Sequence, residues 1–328
     1  MHSHVPSDNR GKDAERISEA VGAFSARHGG RADLNVPLAR LTTLRIGGPA
    51  QAVCRLHTPE DARRFLDNAR DLEIPTVFLG GGSNVLADDG GFRGLVLQVA
   101  TTDLDIRGDT VRAGAGLGFD DLVAATLDAG LVGLEFASGI PGTLGGALIG
   151  NAGCYGNEIG EFLAEATILR SDGAVETVGP EAFAFTYRHS AFKSSRDLVL
   201  DAVLRLERGD VAVAGETRDG IIAERRRKHP VDLPCAGSYF KNLPPEIPGG
   251  RRRAAGALLD RVGARDMREG DAAVFERHAN IIVNEGAATS RDVLALAERM
   301  KAAVAGRFGV RLQEEVRHLA GFGWQSGG

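Results

Sequence analysis

Three polar side chains could take part in chemistry on a bound substrate, and Ser238 is the first of them. It follows Gly237 and precedes an aromatic pair, Tyr239 and Phe240. The G-x-S-x-G pattern of an activated serine nucleophile is not matched, because position 240 is Phe. A serine that donates a proton needs only the right position and electrostatic surroundings. Ser238 is therefore a candidate proton donor, and the alternative is an ordinary turn residue beside glycine.

Arg188 and Glu315 are charged residues that could belong to a functional site, Arg188 as a group that binds an anion and Glu315 as a buried carboxylate. Arg188 follows Tyr187, and a guanidinium can bind a carboxylate through two parallel hydrogen bonds. A surface ion pair is the alternative interpretation for Arg188. Glu315 lies beside Glu314 in a predicted strand, where alternation directs one carboxylate to each face. An inward carboxylate is rare unless it is paired, so the inward one is a candidate site residue.

Two glycine-rich stretches could bind phosphate through their backbones. Gly80-Gly-Gly-Ser-Asn84 follows the apolar run 75–79, and seven glycines lie between Gly139 and Gly156. Glycine lets a ligand approach the backbone closely, and Thr143 could cap a short helix through Ala147. Free N–H groups at the start of a helix favour phosphate. Two such loops predict a long ligand with a central pyrophosphate; the alternative is a set of tight turns in a glycine-rich chain.

The first glycine loop does not fit a Rossmann dinucleotide site. The G-x-G-x-x-G fingerprint requires glycine at the position that Val85 occupies. The fingerprint also requires a helix after the loop, whereas Asp88-Asp-Gly-Gly91 predicts a turn.

Composition limits the classes of function. The chain has 328 residues, including 44 Gly, and its net charge of −5 argues against a nucleic-acid partner. The basic clusters 225–228 and 251–253 could meet an anionic ligand, although a solvated surface is the better interpretation for each. The three cysteines show no metal spacing and no disulfide framework, so we expect a cytoplasmic protein without a metal. No apolar run reaches the ~20 residues of a membrane span.

Apolar periodicity predicts helices and strands that alternate around these candidates. Thr58 is the expected N-cap of one helix, and Thr289 with Asp292 resembles a capping box. The predicted helices are 13–28, 59–72, 119–129, 214–228, 254–262 and 290–308, and the predicted strands are 41–48, 75–79, 94–99, 110–116, 164–169, 175–178, 198–206, 280–283 and 310–319.

We predict a domain boundary near residues 210–230, because a second region of predicted helices and strands begins at about Pro230. Residues 1–13 are polar and are predicted to be disordered. The helix at 13–28 is interpreted as an addition outside the main fold. Residues 321–328 are predicted to form a loose tail.

Taken together, these motifs resemble those of the UDP-N-acetylenolpyruvoylglucosamine reductases, flavoenzymes that make UDP-N-acetylmuramate for bacterial peptidoglycan. The resemblance covers about residues 35–321, and a set of motifs in this order is highly specific. The motifs are TTLRIGG at 42–48, LGGGSN at 79–84, GIPGTLGG at 139–146, NAGCYG at 151–156, YRHS at 187–190, GSYFKN at 237–242 and EV at 315–316.

The resemblance implies an α+β fold, with a bipartite FAD-binding region of the vanillyl-alcohol-oxidase (PCMH) type followed by an α+β substrate-binding domain. The implied division is an N-terminal extension at 1–34, FAD-binding subdomains at 35–100 and 101–212, a substrate domain at 213–320 and a tail at 321–328. NADPH would reduce a non-covalent FAD and leave, and UDP-N-acetylenolpyruvoylglucosamine would then accept hydride.

The resemblance also implies a role for each matched residue. Ser238 would protonate the enol, and Arg188 and Glu315 would stabilise or polarise it. Tyr187, Lys228, Asn242 and His278 would contact the substrate. The residues implied for FAD binding are Leu79, Gly80, Gly81, Gly82, Ser83, Asn84, Ser138, Gly139, Ile140, Gly142, Thr143, Gly146, Ala152 and Gly153.

Two departures from the family pattern stand out. Leu243 occupies the position after the Lys-Asn pair where the family usually has Pro. No Tyr lies between Ser190 and Ser238, so the chain resembles the branch without a tyrosine-bearing substrate loop. One alternative is another flavin oxidoreductase of the same fold, for instance an oxidase with covalent FAD, for which the Gly80–Asn84 loop offers no His. The other alternative is a protein that binds FAD without catalysis, and the joint presence of Ser238, Arg188 and Glu315 argues against it.

Overall fold

The computed structural model describes residues 7–29, 31–247 and 250–325. Its α-helices are α1 (Ser7–Arg27), α2 (Pro59–Asp71), α3 (Phe119–Asp128), α4 (Leu144–Gly150), α5 (Val211–Lys228), α6 (Ala255–Arg261) and α7 (Ser290–Phe308). Its strands are β1 (Asp33–Pro37), β2 (Pro49–Leu56), β3 (Thr76–Leu79), β4 (Val85–Val99), β5 (Leu104–Arg107), β6 (Thr110–Gly114), β7 (Leu131–Val132), β8 (Gly153–Cys154), β9 (Asn157–Glu158), β10 (Leu163–Leu169), β11 (Val175–Val178), β12 (Leu198–Arg205), β13 (Glu207–Arg208), β14 (Cys235–Ser238), β15 (Arg268–Glu269), β16 (Ala272–Val274), β17 (Ile281–Asn284), β18 (Arg317–Gly321) and β19 (Gly323–Trp324).

The first sheet is built around the long strand β4. Its order is β1-β2-β4-β18-β19, and β3 also pairs with β4. The strands β2, β3 and β18 run parallel to β4. Helix α2 packs its buried Phe65 and Ala62 beneath this sheet, and it begins as predicted, since the Thr58 hydroxyl accepts the Asp61 N–H.

The turn predicted at residues 88–91 is wrong, because β4 continues through it. Gly91 adopts a φ of +76°, which a glycine accepts without steric penalty. The register of β4 against β18 shifts between Ala87 and Phe92. A Gly-containing irregularity of this kind bends a strand without ending it, and β18 pairs with β4 at residues 85–87 and at Phe92, on either side of it.

The second sheet has the antiparallel order β11-β10-β12-β6-β5. Helices α3 and α4 cover it, and Phe119, Leu122 and Leu148 are buried in their shared core. Helix α4 confirms the predicted cap, because the Thr143 hydroxyl accepts the Gly146 N–H at 3.4 Å. The helix ends at Asn151, whose φ is +45°.

The third sheet, β14-β17-β16-β15, packs against α6 and α7. The predicted capping box at the start of α7 is confirmed, since Thr289 and Asp292 exchange side-chain and backbone hydrogen bonds. The core of this layer also contains Leu44 and Ile46, from the chain that leads into the first sheet.

The predicted strand at 41–48 is wrong. Arg45 has a φ of +54°, and its N–H donates to the carbonyl of Thr42. Thr43 ties this turn to two other parts of the molecule, because its N–H donates to Gly82 and its hydroxyl donates to the Cys235 carbonyl at 2.6 Å. The apolar residues that suggested a strand instead anchor the turn on the third layer.

The last predicted strand, 310–319, is shorter in the structure. Glu314 makes an isolated bridge with Phe240, and regular pairing begins only with β18.

The predicted loose tail is also more ordered than expected, because β19 pairs with β18 and the Trp324 ring lies 4.0 Å from the Arg317 guanidinium. Residues 326–328 lie outside the described part of the chain.

The N-terminal helix is part of the packed structure. It begins at Ser7, so the predicted disorder is wrong for residues 7–13, and residues 1–6 lie outside the described part. Ile17, Val21 and Phe24 are buried against α2 and the first sheet, because an amphipathic face at helical spacing finds an apolar surface there. Among the described residues, no helix combines the length and apolar character needed to cross a lipid bilayer.

Candidate active site

A cleft of about 780 Å³ lies where the three layers meet. It brings together most of the residues that the sequence singled out, from both glycine loops and from the third layer. The predicted residues that line it are Leu79, Gly80, Gly81, Gly82, Ser83, Asn84, Gly139, Ile140, Gly142, Thr143, Gly146, Ala152, Gly153, Tyr187, Arg188, Ser238, Asn242 and Glu315.

The two glycine loops touch each other and form one wall of the cleft. The Ser83 hydroxyl donates to the carbonyl of Pro141 at 3.0 Å. A Cβ atom added at Gly81 would lie 3.0 Å from the Cα of Gly142, so a side chain there would crowd the second loop. The loops therefore act as a single backbone surface, although about 60 residues of sequence separate them.

The backbone of this wall suits an anionic group. Among the described residues, the N–H groups of Gly81, Gly82 and Ser83 donate to no backbone acceptor. Gly82 holds a φ of +63°, and a Cβ there would lie 1.9 Å from the Leu41 carbonyl oxygen. Free N–H donors on a tight glycine turn are the groups that bind phosphate oxygens. The chain thus offers donors that fit the pyrophosphate of FAD.

Arg188 and Glu315 form an ion pair inside the cleft. Arg188 Nε lies 3.0 Å from Glu315 Oε1, and both side chains are less than a quarter exposed. Arg188 Nη2 also donates to the Gly153 carbonyl at 2.6 Å. The backbone of Arg188 is left-handed, with a φ of +55°, which is uncommon for a residue with a side chain. Such conformations occur often at functional sites.

Burial raises the pKa of Glu315, while the neighbouring cations Arg188, Lys193 and Lys241 oppose that rise. The backbone of Glu315 is held from two sides. Its N–H donates to the Tyr239 carbonyl at 2.8 Å, and its carbonyl accepts the Asn84 side chain at 3.1 Å. The neighbouring Glu314 points elsewhere and pairs with Lys301 of α7. As the sequence indicated, the two carboxylates face different directions, and Glu315 faces the cleft.

Ser238 ends β14, where it pairs with Ile281 of β17. Ser238 is half-buried and lines the cleft. The following residues Tyr239 and Phe240 are buried in the core of the third layer and fix the direction of the chain. The register of β14 shifts between Cys235 and Ser238, but the pairing with Ile281 and the packed core that follows still give the hydroxyl a defined position, as proton donation requires.

Tyr187 and Asn242 meet across the cleft. The Asn242 N–H donates to the Tyr187 hydroxyl at 3.3 Å, and the Asn242 side chain accepts the N–H of Ala255 at the start of α6. The guanidinium of Arg252 stacks on the Tyr187 ring at 3.7 Å and donates to the Asn242 carbonyl. These contacts join the second and third layers at one end of the cleft.

Three predicted residues do not line the cleft. Ser138 is fully buried, and its hydroxyl donates to the Glu135 carbonyl at 2.6 Å. Lys228 pairs with Glu224 at the exposed end of α5. His278 lies behind His229, with ring centroids 5.3 Å apart. The assignments of Ser138, Lys228 and His278 to ligand binding stay predictions.

Several cleft residues were not predicted from the sequence: Thr43, Lys193, Arg225, His229 and Arg317. The basic cluster 225–228 was interpreted as solvated, yet Arg225 lines the cleft beside Gly139. Burial, followed by the charge of Arg225, lowers the pKa of His229 to about 4. Spacing alone could have indicated Lys193 and His229, because each lies within five residues of a matched motif residue, Arg188 or Lys228.

Within 7–29, 31–247 and 250–325, no three His, Cys, Asp or Glu side chains are grouped so that they could hold a metal ion. The expectation that the protein needs no metal stays a prediction.

Comparison with known proteins gives two family matches. Residues 50–179 match the FAD binding domain, and residues 229–319 match the C-terminal domain of UDP-N-acetylenolpyruvoylglucosamine reductase. The first match contains both glycine loops, and the second contains Ser238 and Glu315.

Whole-chain relatives agree with these matches. UDP-N-acetylenolpyruvoylglucosamine reductase 2 of Symbiobacterium thermophilum is 38% identical over 306 residues, which cover 93% of this chain and 96% of the relative. The reductase of Bacillus subtilis is 33% identical over 308 residues, with 93% and 99% covered. The crystal structure of the Thermus caldophilus reductase superposes with a TM-score of 0.74 at 32% identity, covering 88% of this chain and 98% of that one.

The fold class predicted from the sequence is confirmed: an α+β protein with a FAD-binding region of the vanillyl-alcohol-oxidase type. Because the relatives match over almost their full length and residues 50–179 match an FAD binding domain, the chain is an FAD-dependent oxidoreductase. The chain belongs to the UDP-N-acetylenolpyruvoylglucosamine reductase family.

Proposed function

We propose that the protein reduces UDP-N-acetylenolpyruvoylglucosamine to UDP-N-acetylmuramate for peptidoglycan synthesis, with NADPH as electron donor. The observation that carries the proposal is the shared cleft. One wall holds the backbone donors of two glycine loops, and the Arg188–Glu315 ion pair and Ser238 lie on the same cleft. A site with a place for a dinucleotide next to a charged pair and a hydroxyl fits a flavin-dependent reduction.

The glycine loops 80–84 and 139–143 would hold FAD through its pyrophosphate. The free N–H groups of Gly81, Gly82 and Ser83 support this role. When bound, FAD supplies hydride transfer from NADPH to the substrate alkene. The remaining wall residues, from Leu79 to Gly153, would line the cofactor, and the direct contacts between the loops keep that surface rigid.

Arg188 would bind the substrate carboxylate and stabilise the negative charge that develops beside it. A guanidinium that already holds Gly153 and Glu315 is preorganised, so its charge needs no rearrangement during the reaction. Glu315 would orient this guanidinium and polarise the developing enol. Ser238 would donate the proton that completes the reduction.

Tyr187, Asn242, Lys228 and His278 are proposed to contact the sugar nucleotide. Support differs among them, because Tyr187 and Asn242 lie on the cleft, whereas Lys228 and His278 lie outside it. The domain division at residues 34, 100, 212 and 320 is likewise proposed. The strand β18 is an exception to this division, because residues 317–321 follow the third layer in sequence but pair with β4 of the first sheet.

The decisive test is NADPH oxidation by the purified protein with and without the enolpyruvyl substrate. We expect slow oxidation alone, fast oxidation with substrate, and UDP-N-acetylmuramate as product. The protein should purify yellow, and denaturation should release all the colour if FAD is not covalent. A colourless protein that cannot be reconstituted with FAD, or one whose NADPH oxidation ignores the substrate, would contradict the proposal.

The cytoplasmic location and the lack of a nucleic-acid partner stay predictions. Cys54, Cys154 and Cys235 are all free thiols, which agrees with a reducing compartment.

A further inference from the structure

Lys193 is a largely buried cation in the cleft wall that the reaction outlined above does not use. It ends a short 3₁₀ helix, Ala191–Lys193, five residues after Arg188. Its ammonium donates to the carbonyl oxygen of Arg188 at 3.0 Å. Burial of a charged lysine is unfavourable unless the ammonium is paired or hydrogen-bonded, so its hydrogen bond to the Arg188 carbonyl is a candidate for a functional role.

The carbonyl that Lys193 holds belongs to a backbone in an unfavourable conformation. Arg188 has a φ of +55°, and its side chain must reach both Gly153 and Glu315 from that backbone. If the peptide of Arg188 relaxed, the guanidinium would leave both partners. The direction of the guanidinium therefore depends on what fixes the carbonyl.

The 3₁₀ helix that carries Lys193 is itself firmly anchored. Ser190 is fully buried, and its hydroxyl donates to the Ile149 carbonyl in α4 at 2.9 Å. Phe192 packs on Phe183 with ring centroids 4.6 Å apart. The ammonium is thus presented from a rigid element, as a group that positions another residue should be.

We propose that Lys193 is a positioning residue for substrate reduction: its ammonium holds the Arg188 carbonyl and so aims the guanidinium into the cleft. The inference rests on the proposed function, because the guanidinium is the group assigned to the substrate carboxylate. Lys193 acts through Arg188.

The charges around Lys193 give this role a pH dependence. Burial is the main reason that the pKa of Lys193 falls to about 8, and the cations Lys241, Arg317 and Arg188 lower it further, while Glu315 opposes them. Lys193 in turn helps burial to lower the pKa of His189. As the pH rises through about 8, Lys193 loses its proton and the charged hydrogen bond to Arg188. Substrate reduction should therefore decline above that pH.

The test compares Lys193→Met, Lys193→Arg and Lys241→Met in both half-reactions. For Lys193→Met we expect flavin reoxidation by the enolpyruvyl substrate to slow at least ~10-fold, on the scale of one lost charged hydrogen bond. Flavin reduction by NADPH should change less than ~3-fold. Lys193→Arg should recover most of the rate and lose the decline above pH 8. Lys241→Met removes a nearby charge without touching the Arg188 carbonyl, so its effect should be smaller.

Substrate affinity gives a readout apart from turnover. Titration of the oxidised protein with the enolpyruvyl substrate, followed by flavin absorbance, should show weaker binding for Lys193→Met and near-normal binding for Lys193→Arg. Equal effects of Lys193→Met and Lys241→Met would reduce the role to general electrostatics and overturn the proposal. An unchanged alkaline decline in Lys193→Arg would overturn it as well. If wild-type protein itself does not turn over, the proposed function fails instead, and the two failures stay distinct.

Discussion

Replacement of Arg188 by lysine tests the charged pair at the centre of the cleft. Arg188 makes two short contacts in different directions, 3.0 Å from Nε to Glu315 and 2.6 Å from Nη2 to the Gly153 carbonyl. Lysine keeps the charge but has a single nitrogen, so it can satisfy only one of these directions. Both ionic side chains are less than a quarter exposed, so water does not readily replace the lost partner.

The expected loss follows from that geometry. One charged hydrogen bond contributes roughly 1.5–3 kcal/mol, which corresponds to about 10- to 150-fold in rate if the bond persists in the transition state. Arg188→Lys should therefore slow reoxidation of the reduced flavin by the enolpyruvyl substrate by at least ~10-fold. Stopped-flow absorbance at the flavin band measures this step directly, and it also measures reduction by NADPH, which should change little.

A matched control is Arg112→Lys on the second sheet. Arg112 also pairs with two carboxylates, Glu165 and Asp201, but its side chain is about half exposed. An exposed pair of this kind contributes little, so both half-reactions should stay near wild type. Substrate-dependent reoxidation within ~3-fold of wild type in Arg188→Lys would refute the reasoning and assign Arg188 a structural role.

Three further predictions address the proton donor, the glycine loop and the ion pair between Asp120 of α3 and Arg218 of α5. Ser238→Ala should slow substrate-driven reoxidation by ~10²-fold or more while NADPH still reduces the flavin at close to the wild-type rate, and Ser238→Cys should lie between. Gly82→Ala should reduce the FAD retained on gel filtration, because its Cβ would lie 1.9 Å from the Leu41 carbonyl oxygen. Asp120→Asn should lower the melting temperature at pH 7, because Arg218 holds the pKa of Asp120 below its usual range. That carboxylate stabilises the fold above its unfolded pKa and loses its effect as the pH falls through its folded pKa, so the difference in melting temperature should shrink in acid.

Each of these predictions has an outcome that contradicts it. Equal slowing of both half-reactions in Ser238→Ala would mean that the hydroxyl shapes the site and does not donate a proton. Normal FAD content in Gly82→Ala would show that the loop tolerates a side chain, and Gly108→Ala, at an open turn with a similar φ, controls for backbone strain alone. A difference in melting temperature for Asp120→Asn that grows in acid would reverse the assigned sign.

Local motifs predicted much of the candidate site, and long-range packing supplied the rest. Ser238, Arg188 and Glu315 stand in short recognisable motifs, so their types and order were enough to select them. Their proximity depends on three separate layers, and no periodicity reports it. Lys193 illustrates the limit, because its position depends on Ser190 and Phe192, which are anchored on the distant residues Ile149 and Phe183.

The errors in secondary structure have the same origin. The apolar and β-branched residues at 41–48 predict a strand by propensity. The segment turns instead, because Thr43 bonds to Gly82 and Cys235 while Leu44 and Ile46 are buried in the third layer. At 88–91 the opposite error arises, since β18 pairs with β4 at residues 85–87 and again at Phe92, on either side of the local turn signal.

The return of β18 to the first sheet has a consequence for biosynthesis. Asn84 lies at the end of the first glycine loop. Its backbone carbonyl accepts the Arg317 N–H and its side-chain amide donates to the Glu315 carbonyl, so two hydrogen bonds connect the loop to residues 315–317. On the ribosome, β4 and the glycine loops emerge long before residue 315. A chain truncated before residue 315 would lack both Glu315 and the strand β18 that pairs with β4. A cleft with all of these residues can therefore form only after residues 315–321 have been synthesised.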